Sequence, residues 1–191
     1  MSPASALALG TSTMGIFCAL TGIIGPEGFL TLGIWLIGGF AIHLYASISA
    51  WNQGNALEAG VFSFFGVYLE LVGAISFITT WAVIQFNLPA GFFLDGFMWI
   101  PLTIGIWFWS YPLFKLCPGT LSIGILFADI AFPLVTLTKL GVLGAPFELI
   151  AGVCILLTSV FFMYLGGASM INVVFEKDIL PLGGPILKTK K

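Results

Sequence analysis

Three ionisable side chains stand inside long apolar runs of this sequence: His43, Glu70 and Asp129. A charge in hydrocarbon is expensive, so such a group is either paired by a neighbouring helix or set on a polar route. In Phe62-Ser63-Phe64-Phe65-Gly66-Val67-Tyr68-Leu69-Glu70-Leu71-Val72-Gly73, residues Gly66, Glu70 and Gly73 follow i, i+4, i+7 spacing and share one helical face. An acid on a glycine-lined face points to protein or water, either as part of a conduit wall or as a group satisfied by the next helix. Phe62 and Phe65 flank that face one turn away. Aromatic constrictions on a narrow lining would exclude hydrated ions and admit a small, weakly polar solute. His43 is the only histidine. It could hydrogen-bond a carboxylate and, as His⁺, offset anionic charge, or it could be a packing residue. Asp129 lies one turn before Pro133, whose ring leaves the Asp129 carbonyl without its intrahelical donor. Asp129 therefore serves either that local defect or a path. Asn55, Ser63 and Thr11 are the polar groups that could furnish vestibules.

The elements that carry these residues are apolar helices. The chain has 191 residues, 59% hydrophobic and 7% charged, with a mean hydropathy of +1.12. A soluble domain carries about 25% charged residues, so this chain cannot coat itself in water. A crossing needs about 20 apolar residues. Turn and charge punctuation predicts six spans, at about 4–24, 29–50, 59–84, 96–114, 120–138 and 147–174. The expected fold is an all-α polytopic membrane protein, six transmembrane helices in one compact bundle over residues 1–183, followed by a short basic tail, 184–191, expected to be mobile. With six spans, Lys115, Lys177, Lys188, Lys190 and Lys191 fall on one side and Lys139 on the other. The positive-inside rule then places both termini in the cytoplasm. Trp51, Trp81 and Trp99 fall near predicted span ends, where an indole anchors in the headgroup region, whereas Trp107 and Trp109 are placed as packing residues.

Several function classes drop out. All six basic residues are Lys and the net charge is −2, so there is no footprint for nucleic acid. Cys18, Cys117 and Cys154 have no C-x-x-C spacing and read as small packing residues. No metal or cofactor is expected. The N-terminus lacks a positive n-region, so no cleavable signal is expected either. The loops are too short for an extramembrane domain, and no catalytic motif occurs, so catalysis is not expected. Glycines inside the spans let backbones approach closely, which suits a compact bundle with a small-solute path through it.

The order of short motifs resembles the acetate uptake transporter family, the YaaH or succinate–acetate permease group. Tyr164-Leu165, Asn172, Phe175 and Leu180-Pro181-Leu182-Gly183 match the family's C-terminal Y-L…N…F…L-P-I-G pattern. Gly54-Asn55 is followed by Phe62 and by Phe65-Gly66, and Ser2-Pro3-Ala4 opens the first span much as the family's N-P-A does. The resemblance implies a hexamer in the inner (plasma) membrane whose protomers each pass acetate and related short monocarboxylates, with succinate at the edge of the range. It also implies a gate of side chains from the first, third and fifth helices. By motif these fall on Phe65, near Thr11, where the family has Phe, and near Ala131, with Ile130 and Leu134 as alternatives. Losing two bulky gate residues would widen the constriction. His43 stands where the family has Gln, and Ala50 where it has Glu.

No Arg occurs and every Lys is near a span end or in the tail, so no fixed cation meets a carboxylate in mid-membrane. Passage of a hydrophobic gate is then expected to involve a proton, with His43, Glu70 and Asp129 placed to assist. Two rivals stand beside this expectation: a channel for urea, ammonia or glycerol, and a non-conducting structural subunit.

Overall fold

Proline and glycine punctuation sets the helix ends. Pro3 opens the first helix, Pro118 precedes the fifth and Pro146 sits in the first turn of the sixth, positions where a missing N–H costs nothing. The computed structural model describes residues 2–89 and 93–187, with the side chains of 93–95 outside the described set, Asp95 among them. Within these bounds the helices are α1 (Pro3–Leu20), α2 (Phe29–Asn52, after a 3₁₀ turn at Pro26–Gly28), α3 (Ala56–Phe86), α4 (Phe93–Leu116), α5 (Gly119–Lys139) and α6 (Ala145–Phe175). Each of the six contains a stretch long and apolar enough to cross a bilayer. The protein is a multi-pass membrane protein. The predicted spans and the helices coincide within a few residues. The largest shift is at the first, which stops at Leu20 rather than Ile24 because Gly22 takes a φ of +72°.

The helices pack as a ring. α1 lies between α2 and α6, α6 against α5, α5 against α4, α4 against α3, and α3 back against α2. Small residues set the tight seams. A Cβ on Gly10 would stand 2.9 Å from the Met163 backbone nitrogen, and one on Gly166 3.0 Å from that of Leu7, so α1 and α6 approach nearly backbone to backbone. Ser159 Oγ closes the seam by donating to the Gly10 carbonyl at 2.6 Å. Large apolar side chains such as Ile34, Trp35, Phe108 and Val173 remain exposed on the outside of the ring, as a lipid-facing wall requires.

Three expectations change. Trp107, placed as a packing residue, is 53% exposed on the outside of the bundle. Trp99 is 3% exposed and packs on Phe132, with ring centroids 6.4 Å apart, so it is a core residue and not an interfacial anchor. The chain beyond Pro181 is docked as far as it is described. Asn172 Nδ2 donates to the Leu180 carbonyl at 2.8 Å, and Asn172 Oδ1 accepts from the Leu180 N–H at 2.9 Å. The first N–H groups of α5, at Gly119 and Thr120, donate to the Gly183 and Leu182 carbonyls, and the Leu187 N–H donates to the Phe114 carbonyl. Helix-end groups without intrahelical partners thus find them in the tail. Lys188–Lys191 lie outside the described residues.

Candidate conduit and its buried acid

The tail ends against a vestibule. Asn55, Glu58, Val61, Leu113, Cys117, Leu121, Leu165 and Leu182 are among the residues lining a cavity of about 440 Å³ at the end of the bundle that carries both termini. Its Asn55 and Glu58 side chains are already engaged. Asn55 Oδ1 caps α3 by accepting from the Glu58 N–H at 3.1 Å, and its Nδ2 donates to Glu58 Oε2 at 2.7 Å. Glu58 Oε1 in turn accepts from the Ser2 N–H at 2.7 Å, which ties the start of α1 to the start of α3. Burial pushes the Cys117 thiol above its usual range, so it remains a protonated wall residue.

Val61, Leu113 and Leu121 also line a second, much narrower cavity of about 10 Å³, so the two adjoin across these side chains. That is space for about one water molecule. Ser5, Ala6 and Leu9 from α1, Phe62 and Phe65 from α3, Ile125 from α5 and Phe162 from α6 complete its wall. The residues come from five of the six helices, which places the constriction inside the ring. The Ser5 hydroxyl is fully buried there and has no hydrogen-bond partner among the described residues.

Beyond the constriction lies the acid. Glu70 is completely buried. Its Oε1 accepts from Ser12 Oγ at 2.7 Å, and its Oε2 stands 2.6 Å from His43 Nδ1. Gly39 provides the room, because a Cβ there would collide with the Glu70 carboxylate. Ser5, Leu9 and Ser12 repeat at i, i+4, i+7 on α1, so the face that lines the constriction also grips the acid. On α3 the backbone does the equivalent by a different device. Phe65–Leu71 is a π-helical segment, flanked by regular α-helix on both sides. In a regular helix, residues five apart point about 140° from one another; the wider i→i+5 turn brings Phe65 and Glu70 toward one side. The α2–α3 seam is closed by Gly66, where a Cβ would be 3.0 Å from that of His43. Ser12 is nine residues into α1 and Glu70 fourteen into α3, or about 14 and 21 Å along their helices, deep within a bilayer-crossing bundle.

The fold is similar to that of the bacterial acetate channel SatP. The two structures align with a TM-score of 0.77 over 95% of this chain and 97% of that one, at 17% sequence identity. No family model and no curated protein matches the sequence. At this identity the likeness to SatP speaks for the fold alone.

The structure brings together Phe65, Glu70 and His43 of the expected site residues, and leaves the others elsewhere. Thr11 is half-buried, and its hydroxyl donates back to the Leu7 and Ala8 carbonyls of its own helix. The α1 residues at the constriction are Ser5, Ala6 and Leu9, and Leu9 is two positions and so about 200° away from Thr11. On α5 the lining residues are Leu121 and Ile125. Ala131 is fully buried, Leu134 is packed against the core, and Ile130 is 45% exposed on the outside. Ser63 faces a groove between α2 and α3, its hydroxyl 2.5 Å from that of Ser47. Asn55 lines the vestibule with its amide occupied by Glu58. Ser5 and Phe162 at the constriction and Ser12 at the acid are not among the expected residues. The α1 serines carried a readable signal in their spacing, and Phe162 carried none.

The Asp129 carboxylate bonds across the helix seam to Ser110, and it is Trp107 that meets the local defect. Asp129 sits at the α4–α5 seam and lines neither the vestibule nor the constriction. Its carboxylate accepts from Ser110 Oγ at 2.7 Å, and the backbone carbonyl orphaned by Pro133 accepts from the Trp107 indole N–H at 3.3 Å. Trp107→Phe is expected to lower stability by about 0.5–1.5 kcal/mol. Pro133→Ala restores an intrahelical N–H to the same carbonyl, so Trp107→Phe in that background should cost little more. Equal losses in both backgrounds, read by thermal unfolding in detergent, would show that the indole bond does not serve this carbonyl.

Proposed function

We propose that the chain is a membrane channel for acetate and related short monocarboxylates, with succinate at the upper limit of size. One alignment along the bundle carries this assignment: a vestibule of about 440 Å³, an adjoining apolar constriction of about 10 Å³, and a buried acid–imidazole pair about one turn further along α1 and α3. The similarity to an acetate channel supports it. The vestibule admits a hydrated carboxylate. At the constriction Leu9, Phe62, Phe65 and Phe162 offer no counter-charge, and Ser5 offers one hydroxyl. A bare carboxylate would lose its hydration there without compensation, whereas a carboxylic acid would not. Passage is therefore proton-linked, and Phe65 is the gate residue.

In this reading both termini face the cytoplasm across the inner membrane, and protomers assemble as hexamers with one route in each. The test is uptake of labelled acetate into liposomes holding the purified protein, against protein-free liposomes, with and without an inward proton gradient. Saturable uptake that rises with the gradient and is inhibited by other short carboxylates is the expected result. Uptake of urea or glycerol indifferent to acetate would favour a neutral-solute channel. Absence of any solute flux would favour a structural subunit.

A further inference from the structure

The His43–Glu70 pair is more specific than a buried acid needs. His43 is completely buried, and its Nε2 has no hydrogen-bond partner among the described residues. Its ring lies 5.6 Å from that of Phe62, one of the residues lining the constriction. Glu70 is held on both oxygens, by Ser12 and by His43, and its carboxylate rests on the open backbone of Gly39.

Counting hydrogens fixes what Nε2 is. A pair buried this deeply is cheapest at zero net charge. The 2.6 Å separation of Nδ1 and Oε2 accommodates one hydrogen between them. If that hydrogen belongs to Nδ1, the pair is imidazolium and carboxylate, and Nε2 carries a hydrogen as well. If it belongs to Oε2, the ring is neutral with Nδ1 as acceptor, and its one N–H is again at Nε2. Either way the neutral pair presents a buried N–H donor with nothing to donate to. The ligand it lacks is an acceptor.

Resting on the carboxylate-channel reading above, we propose that His43 Nε2–H docks the substrate carboxylate, and that the proton neutralising the His43–Glu70 pair is the one that accompanies the substrate. On docking, a carboxylate oxygen accepts from Nε2–H. The proton then passes to that oxygen: the N–H bond breaks, the nitrogen keeps the electron pair, and an O–H bond forms. The substrate leaves as a neutral acid, and His43 remains with Nδ1–H bonded to ionised Glu70, the shared hydrogen passing from Oε2 to Nδ1 in the same step where it began on the acid. A proton from solvent restores the pair. His43 is the binding residue; Glu70 positions the ring and stores the charge, while Ser12 and Gly39 position Glu70. The elements packed on α2 bring no second titratable group to the ring. Glu27 stands in the turn before α2, Glu58 is bonded to Ser2 and Asn55 at the vestibule, Tyr68 is 37% exposed, and Cys18 lies near the far end of α1.

Because His43 is the sole histidine, labelling histidine with ¹⁵N gives one pair of ring resonances from the full-length protein in liposomes. The expected spectrum at neutral pH shows a protonated Nε2 whose signal moves when acetate, but not acetamide, is added. In Glu70→Gln the side-chain amide can still donate to Nδ1, so Nε2–H and the acetate response should persist. The proton store is gone, however, and acetate flux should change from independent of membrane potential to dependent on it. An unprotonated Nε2 in the wild type, ring signals unmoved by acetate, or Glu70→Gln flux as indifferent to potential as the wild type would each overturn the proposal. Loss of saturable wild-type acetate flux would instead overturn the channel reading beneath it.

Discussion

Replacing Phe65 by Ala should raise acetate flux on the order of tenfold and admit longer carboxylates. A tenfold rise corresponds to about 1.4 kcal/mol off the barrier. The constriction holds room for about one water molecule, and Phe65, 2% exposed, is part of its wall from α3. Removing the ring opens a space contiguous with the route, and a widened apolar neck lets water in and lowers the desolvation barrier. The same deletion from a buried core costs about 3–5 kcal/mol of stability, so yield and unfolding temperature must be measured alongside flux. Phe65→Leu, which keeps most of the bulk, should change flux far less. The measurement is initial uptake of labelled acetate, propionate and butyrate into liposomes at matched protein content. A folded Phe65→Ala with unaltered flux and unaltered chain-length preference would remove Phe65 from the gate.

What the sequence makes legible follows from the solvent. Lipid demands long apolar runs, so six helices with nearly correct ends can be read from hydropathy and from residues such as Pro118 and Pro146. Rare polar groups are equally legible. Glu70 faces protein, and the carbonyl that Pro133 strands does find an outside donor, in Trp107. Rotation about each helix axis is the part that resists. A soluble helix announces its inner face by amphipathicity, but these helices are apolar all round, so lipid-facing and axis-facing residues look alike. Motif alignment alone could not choose Leu9 over Thr11, or Leu121 and Ile125 over Ala131, Ile130 and Leu134. The π-helical segment compounds this on α3. The regular spacing of Gly66, Glu70 and Gly73 suggests an undistorted helix, and nothing in Phe65–Leu71 signals the wider turn.

Removing His43 from the buried pair is expected to destabilise the protein about as much as deleting a large core side chain. His43→Leu leaves the completely buried Glu70 carboxyl with only the Ser12 hydroxyl. Breaking a buried pair this way costs about 3–5 kcal/mol, because the cost is that of a stranded charge and not merely of a lost contact. Glu70→Leu strands a neutral imidazole instead, a smaller penalty of about 1–3 kcal/mol for an unsatisfied polar group. The informative variant is the double one. His43→Leu with Glu70→Leu strands neither group, so it should be more stable than His43→Leu alone and well above the sum of the single losses. Ser12→Ala belongs with the pair: it should cost stability in the wild type and almost nothing once Glu70 is Leu, since its hydroxyl then has no acid to hold. Unfolding midpoints in detergent across this set read out the coupling. Additive losses would mean that the three side chains do not act as one unit. A Glu70 that needs none of its partners could not be holding His43 in the orientation that leaves Nε2 without one.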